Sequence, residues 1–158
     1  MNKPSLTGKK RYHQGIFRPK NIQKYIGNPT NILYRSGWEK SFLIWCDKTP
    51  SVIAYGSEEL VIPYISPIDF KQHRYFIDFF VMIKKPNGMI QKFAVEIKPY
   101  SQTRPPRVSK TKVLTESAKS KVETYMINQA KWTAARDFCR KNNMEFIILT
   151  EKELLKGK

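Results

Sequence analysis

The sequence predicts an α/β fold: one mixed sheet flanked by helices, with elements in the order α-β-β-β-α-β. Three observations carry that expectation. Trp38, Phe42 and Trp45 recur at helical spacing before a middle block dense in Phe, Tyr, Ile and Val. A long helix-period stretch follows that block, and a short apolar run follows the helix. A helix of that length between two strands is the natural crossover to a parallel pairing, so the final strand should run parallel to its neighbour.

Each element has its own signals. Ser36 can cap a first helix over 36–48, and Thr49-Pro50 stops it. Residues 51–55 and 59–65 read as two short strands broken at Gly56-Ser57. Residues 74–84 read as one long strand and 89–98 as another, ended by Pro99, which has no N–H to give a ladder. A polar, basic loop with Pro105-Pro106 spans 99–112. The long helix covers 115–142, with an inward stripe of Ala118, Val122, Tyr125/Met126, Gln129, Trp132, Ala135/Arg136 and Cys139. Residues 145–149 form the last strand and 151–156 a closing helix. The chain divides into a basic N-terminal arm over 1–30, extended or loosely packed, and a single domain over 31–158.

Composition bounds the function. Against 13 Asp and Glu stand 29 Lys and Arg, a net charge of +16, well beyond the roughly 2–8 that solubility needs. No acid precedes Glu39. A field of that sign attracts nucleic acid or an anionic membrane. No apolar run approaches the roughly 20 residues of a spanning helix, and the N-terminus lacks the apolar core of a signal peptide. The chain is therefore expected in a cytoplasm rather than secreted. Cys46 and Cys139 read as reduced core residues, and with His13 and His73 they offer no zinc-ligand spacing. Trp38, Trp45 and Trp132 sit on helix stripes, which reads as core rather than as a stacking platform for single strands.

The candidate chemistry lies on the two long strands. Lys85-Pro86-Asn87-Gly88 between them suits a type I turn closed by a left-handed Gly. That loop pairs Lys85 with Met89 and so sets Asp78 opposite Glu96, with Lys98 one step along on the same face. A two-residue Asn-Gly turn would instead set Asp78 against Ile97. In the favoured register two carboxylates meet across a strand pair, which is unfavourable without a cation. Asp78 stands between Phe76 and Phe80, and Tyr75, Ile77, Phe79 and Val81 make the other face apolar, so both faces read as covered. Two carboxylates, with the Ile97 carbonyl, suit Mg²⁺, with Mn²⁺ able to substitute; in so basic a chain this points to phosphodiester cleavage, with Lys98 beside the metal. A surface Asp-Lys-Glu ion-pair ladder is the competing reading.

Other acids and bases carry two readings each. Glu39 fits a capping box with Ser36, yet it flanks the apolar stripe beside Phe42, Leu43 and Cys46 and offers a third carboxylate. Glu58 is a further metal-ligand candidate or an ordinary strand-start acid. Arg104, Arg107, Lys110, Lys112, Lys119 and Lys121 are candidate phosphate contacts around the site, or a solvated charge run. Lys131 joins them if its face of the long helix meets the same cleft. Lys9, Lys10 and Arg11 of the arm are candidate contacts to a DNA backbone, or part of a merely disordered tail.

The element order, with Asp78 followed by Glu96-Ile97-Lys98, resembles the core of the PD-(D/E)xK nucleases, the restriction-endonuclease-like fold; Ile77 stands where a proline is often found. From Arg18 to Glu151 the chain is more closely similar to the head-completion nucleases of T-even-type tailed bacteriophages. That likeness rests on Tyr34-Arg35-Ser36, Trp38-Glu39-Lys40, Ala54, Gly56-Ser57-Glu58, Val61-Ile62-Pro63-Tyr64, Arg74-Tyr75-Phe76, Glu96-Ile97-Lys98-Pro99, Pro105-Pro106, Lys131-Trp132 and Leu149-Thr150-Glu151. The resemblance implies a metal-dependent DNA endonuclease, with Asp78, Glu96, Lys98 and Glu39 as catalytic candidates. It also implies double-stranded DNA as substrate, phage head, portal or neck proteins as partners, and the infected host's cytoplasm or the virion as location. Two alternatives stay open: a head-completion or DNA-end-binding protein with a vestigial site, and a transposase- or resolvase-type endonuclease.

Overall fold

The computed structural model describes residues 14–110 and 113–155. Its centre is a four-stranded sheet in the order β3-β6-β7-β8, built from Val52–Ser57, Phe79–Lys84, Ile90–Ile97 and Met144–Leu149. The first two pairings are antiparallel and the last, across the crossover helix, is parallel. Helix α1 (Gly37–Lys48) covers one face and α2 (Glu116–Lys141) the other. The sheet and its helices thus follow the expected α-β-β-β-α-β order.

Two cores result, one on each side. Phe42, Leu43 and Cys46 of α1 pack on Val52, Tyr55, Phe79, Val81, Val95 and Ile97. Trp132, Ala135 and Cys139 of α2 pack on Ala94. Both cysteines are free and buried, and burial holds their thiols protonated by pushing both pKa values up.

The stretch 74–84 is not one strand. It divides into β5 (Gln72–Phe76) and β6, and β5 pairs with β4 (Val61–Ile65) in a separate two-stranded ribbon. At its root Ile77 N–H donates to the Leu60 carbonyl and Glu58 N–H to the Asp78 carbonyl. The break has a consequence for parity. Tyr75 and Ile77 lie in the α2 core, whereas Phe79 and Val81 lie in the α1 core. Alternation in a continuous strand would put all four on one face. Ribbon and sheet diverge here because each strand must bury its apolar side against a different helix. Phe76, expected to help cover Asp78, is 47% exposed as a result.

The arm expected over 1–30 is packed from Gly15 onward. Strand β1 (Gly15–Phe17) pairs with β2 (Ile32–Tyr34), and Phe17 and Ile32 enter the α1 core. A single 3₁₀ turn follows at Ile22–Lys24. Buried Asp47 accepts hydrogen bonds from the Lys20 and Asn21 amides and the Tyr55 hydroxyl. Lys24 Nζ reaches the Cys46, Asp47 and Thr49 carbonyls at 2.8–3.0 Å, satisfying the orphan acceptors at the end of α1. Lys9, Lys10 and Arg11 lie outside the described residues. So do Lys112 and the end of the expected closing helix, whose described part, α3, spans Glu151–Leu154.

The turn between β6 and β7 sets the register that matters most. Lys85 N–H donates to the Met89 carbonyl and Gly88 N–H to the Lys85 carbonyl, with Gly88 at φ 84°. The ladder runs from Lys84–Ile90 to Phe79–Val95, as the three-residue loop requires. A Cβ at Gly88 would meet no atom within 4 Å, so a substitution there is penalised through backbone alone. Gly88→Val is therefore expected to lower unfolding free energy by about 1–2 kcal/mol in urea titration, and Gly88→Asn by clearly less.

Candidate active site

The site sits where the β4–β5 ribbon forks from the sheet. Glu96 is two residues beyond Ala94 on β7 and so faces α2. It is only 4% exposed. The Tyr75 hydroxyl donates to Glu96 Oε2 at 2.6 Å, and Lys98 Nζ lies 3.4 Å from Oε1. Asp78, at the break between β5 and β6, accepts the Ile97 N–H on Oδ2 at 2.9 Å. Beyond the last ladder pair, Phe79 with Val95, it is next in register to Glu96.

The electrostatics follow from burial. Desolvation first, then the Glu96 charge, push the Asp78 carboxyl up to about 7; the Glu39 charge adds to this, while the Ile97 N–H and Lys98 oppose it. Glu96 is also raised, by burial, against the pull of Lys98 and Tyr75. Burial and the two acids raise the Tyr75 hydroxyl, which keeps it a donor. Lys131 closes the cluster from α2. Its ammonium lies 5.5 Å from the Tyr75 ring centre and 5.8 Å from that of Tyr64, and burial lowers its pKa, followed by the Lys98 charge. Two acids thus face two ammonium groups under an aromatic roof.

The remaining candidates are placed as follows. Ser36 caps α1 by accepting the Glu39 N–H on Oγ at 3.1 Å, and Glu39 Oε2 in turn accepts the Arg35 N–H at 2.9 Å, one residue before the N-cap N–H that a capping box would use. Its charge is nonetheless felt at Asp78. Glu58, at φ 55°, forms a two-bond pair with the Arg35 guanidinium, which raises the Arg35 pKa. Among the described residues, no three His, Cys, Asp or Glu side chains converge in a group suited to hold a metal ion. The donor set at the fork is two carboxylates, which fits Mg²⁺, an ion that takes one or two from protein and keeps several waters.

Arg104, Arg107 and Lys121 line a pocket of about 510 Å³ between the 99–110 loop and α2. Lys110 and Lys119 are exposed nearby in the chain. Tyr75, Arg35 and Asn128 are the residues that sequence reasoning missed. Tyr75 reads as core because its hydroxyl's partner lies 21 residues away. In the sequence Arg35 stands out only within the Tyr34-Arg35-Ser36 match, though its place just before the Ser36 cap puts it beside Glu39. On α2 the buried amide is Asn128 at 6% exposure, not Gln129. Trp45, expected in the core, is 44% exposed, at an apolar groove on the opposite face of the sheet.

A mixed sheet with an Asp-Glu-Lys cluster at its fork, the Glu buried, is the arrangement of a restriction-endonuclease-like nuclease. Residues 49–151 match the family described as TnsA-like endonuclease N terminal, and the chain belongs to that family. The particular relative is a phage protein: over 146 residues the chain is 44% identical to the head completion nuclease of Enterobacteria phage T4, covering 90% of this chain and 93% of that one.

The raised Asp78 pKa carries a stability signature. In chelator the folded state keeps this proton to about pH 7, whereas an unfolded Asp releases it near 4. The folded state binds more protons between those limits, so this group's contribution to stability falls as pH rises from about 4 to 7. In urea titrations with EDTA, Asp78→Asn should gain on the wild type between pH 5 and pH 8. A pH-independent difference between the two proteins would contradict the burial of paired charge.

Proposed function

We propose that this chain is a divalent-metal-dependent DNA endonuclease acting in phage head completion, after DNA packaging. The observation that carries the reading is buried Glu96 beside half-buried Asp78, with Lys98 against the pair. Two acids, each with its pKa raised mainly by burial, form a site that gains from a cation. Membership of the endonuclease family and the phage relative support both the chemistry and the setting.

Asp78 and Glu96, with the Ile97 carbonyl, would hold Mg²⁺, or Mn²⁺ in its place. Bound there, the ion supplies a Lewis acid for the scissile phosphate and offsets charge on the leaving oxygen. Tyr75 fixes Glu96 by occupying Oε2. Lys98 orients the attacking water and stabilises negative charge on the phosphate as a compact cation. Lys131 adds a second ammonium on the α2 side. Glu39 acts through its charge on Asp78 while it accepts the Arg35 N–H, and Glu58 holds Arg35 at the site's edge. Arg104, Arg107, Lys110, Lys119 and Lys121 grip backbone phosphates, with Lys112, Lys9, Lys10 and Arg11 as further contacts. The expected location is the infected host's cytoplasm or the virion, next to head, portal or neck proteins; among the described residues no helix is long and apolar enough to cross a membrane.

Purified protein should nick or linearise plasmid with Mg²⁺ and stop with chelator. Asp78→Asn, Glu96→Gln and Lys98→Ala should each lower the rate by about 10²–10³-fold, the scale of losing a group that stabilises developing charge. Unchanged cleavage in Asp78→Asn and Lys98→Ala would overturn the assignment. Salt-dependent DNA binding without turnover would favour a DNA-end-binding protein with a vestigial site. Tyr75→Phe keeps the ring but frees Glu96. It should reduce activity by about 10–100-fold and raise the metal concentration needed, without weakening plasmid binding in EDTA.

A further inference from the structure

The pocket between the 99–110 loop and α2 has more in it than a phosphate grip requires. Its walls are Ser101 and Gln102 of the 3₁₀ turn Tyr100–Thr103, the loop residues Arg104, Pro106 and Arg107, and Ser120, Lys121, Thr124, Tyr125 and Asn128 of α2. At about 510 Å³ it falls within the roughly 300–1,000 Å³ of small-ligand sites. Cations that only track a duplex backbone can be exposed side chains on a convex or flat surface. Here they edge a concavity whose wall on α2 includes Ser120, Thr124 and Asn128.

Asn128 is the most buried residue of the lining. It is 6% exposed and lines the pocket. An amide on the wall of a cavity can hydrogen-bond what enters it. An Asn amide carries both donors and an acceptor, complementary to the edge of a nucleobase. Half-buried Tyr125, one turn earlier, offers a ring on which a base can stack. Arg104, Arg107 and Lys121 supply charge for the attached phosphates.

The pocket's residues are close in the chain to those of the candidate site. Ser101 and Gln102 follow Lys98 within a few residues, and Asn128 lies about one helical turn from Lys131. A base inside a duplex cannot enter such a concavity; an unpaired one can.

We infer that this pocket receives an unpaired nucleotide of the DNA being cut, so that the enzyme prefers DNA carrying a single-stranded segment beside the scissile bond over fully paired duplex. The inference rests on the nuclease reading above. Its test compares two duplexes of one sequence, one blunt and one with a short single-stranded tail, under Mg²⁺. Wild-type protein should cut the tailed form at least about tenfold faster, a ratio that one stacked base can supply. Asn128→Leu and Tyr125→Ala should bring the ratio towards one, and because each ratio is taken within one preparation, a fraction of misfolded variant does not alter it. Should Asn128→Leu fail to fold, by its circular dichroism melt, Tyr125→Ala makes the same test. Equal cutting of both forms by wild type, or a preference kept in both variants, overturns the pocket's role and leaves the nuclease reading intact. No cutting of either form overturns the nuclease reading. The pocket is then decided by gel-shift affinity for the same two DNAs, where equal affinities overturn it and a tenfold preference lost in Tyr125→Ala upholds it.

Discussion

Asp78 is the residue on which the geometry of the site turns. Its carbonyl takes the Glu58 N–H and its carboxylate the Ile97 N–H, so one residue ties together the end of β3, the start of β6 and the end of β7. The ribbon β4–β5 departs at that same point, carrying Tyr64 and Tyr75 over to α2. Were β5 and β6 continuous, Tyr75 would belong to the face of Phe79 and Val81 and could not meet Glu96. The fork therefore makes the pocket: it opens the sheet just enough to admit two carboxylates and closes it again with a tyrosine.

The charges in that opening are set against one another rather than neutralised. A carboxylate pair with burial-raised pKa values is a local instability in the metal-free chain, and Lys98 and Lys131 offset only part of it. The overall charge of +16 works in the same direction, drawing a polyanion toward a centre whose own acids would repel it. A cation is the one addition that relieves the acids and attracts the phosphate together. This is why two acidic residues in a strongly basic protein carry more functional information than its many lysines.

Support for the site comes from further away in the chain. Segment 15–34 adds a two-stranded ribbon and a 3₁₀ turn to the α1 side, and Asp47 with Lys24 fastens it to the end of α1. The start of that helix bears Glu39, Ser36 and Arg35, and Arg35 reaches Glu58 next to the fork. Both ends of α1 are thus held by polar side chains: one end carries the site's outer charges, and the other anchors the N-terminal segment.

Much of this was legible in the sequence. Ser36 and the periodic stripes marked the two main helices, because capping and amphipathicity are local. Lys85-Pro86-Asn87-Gly88 determined the β6–β7 register, and with it the approach of Asp78 to Glu96, because a turn's chemistry dictates how its own flanks pair. Propensity could not reveal the break at Ile77-Asp78, since both halves are equally β-prone and only competition between two helices for their apolar sides separates them. Nor could it reveal Tyr75 on Glu96, Arg35 on Glu58 or Asn128 facing a pocket; those depend on contacts between segments far apart in the chain. The sequence by itself determined which residues could do the chemistry and how two of them align. Tertiary structure alone decided what surrounds them, because burial, and the pKa shifts it produces, belong to no residue until distant segments pack over it.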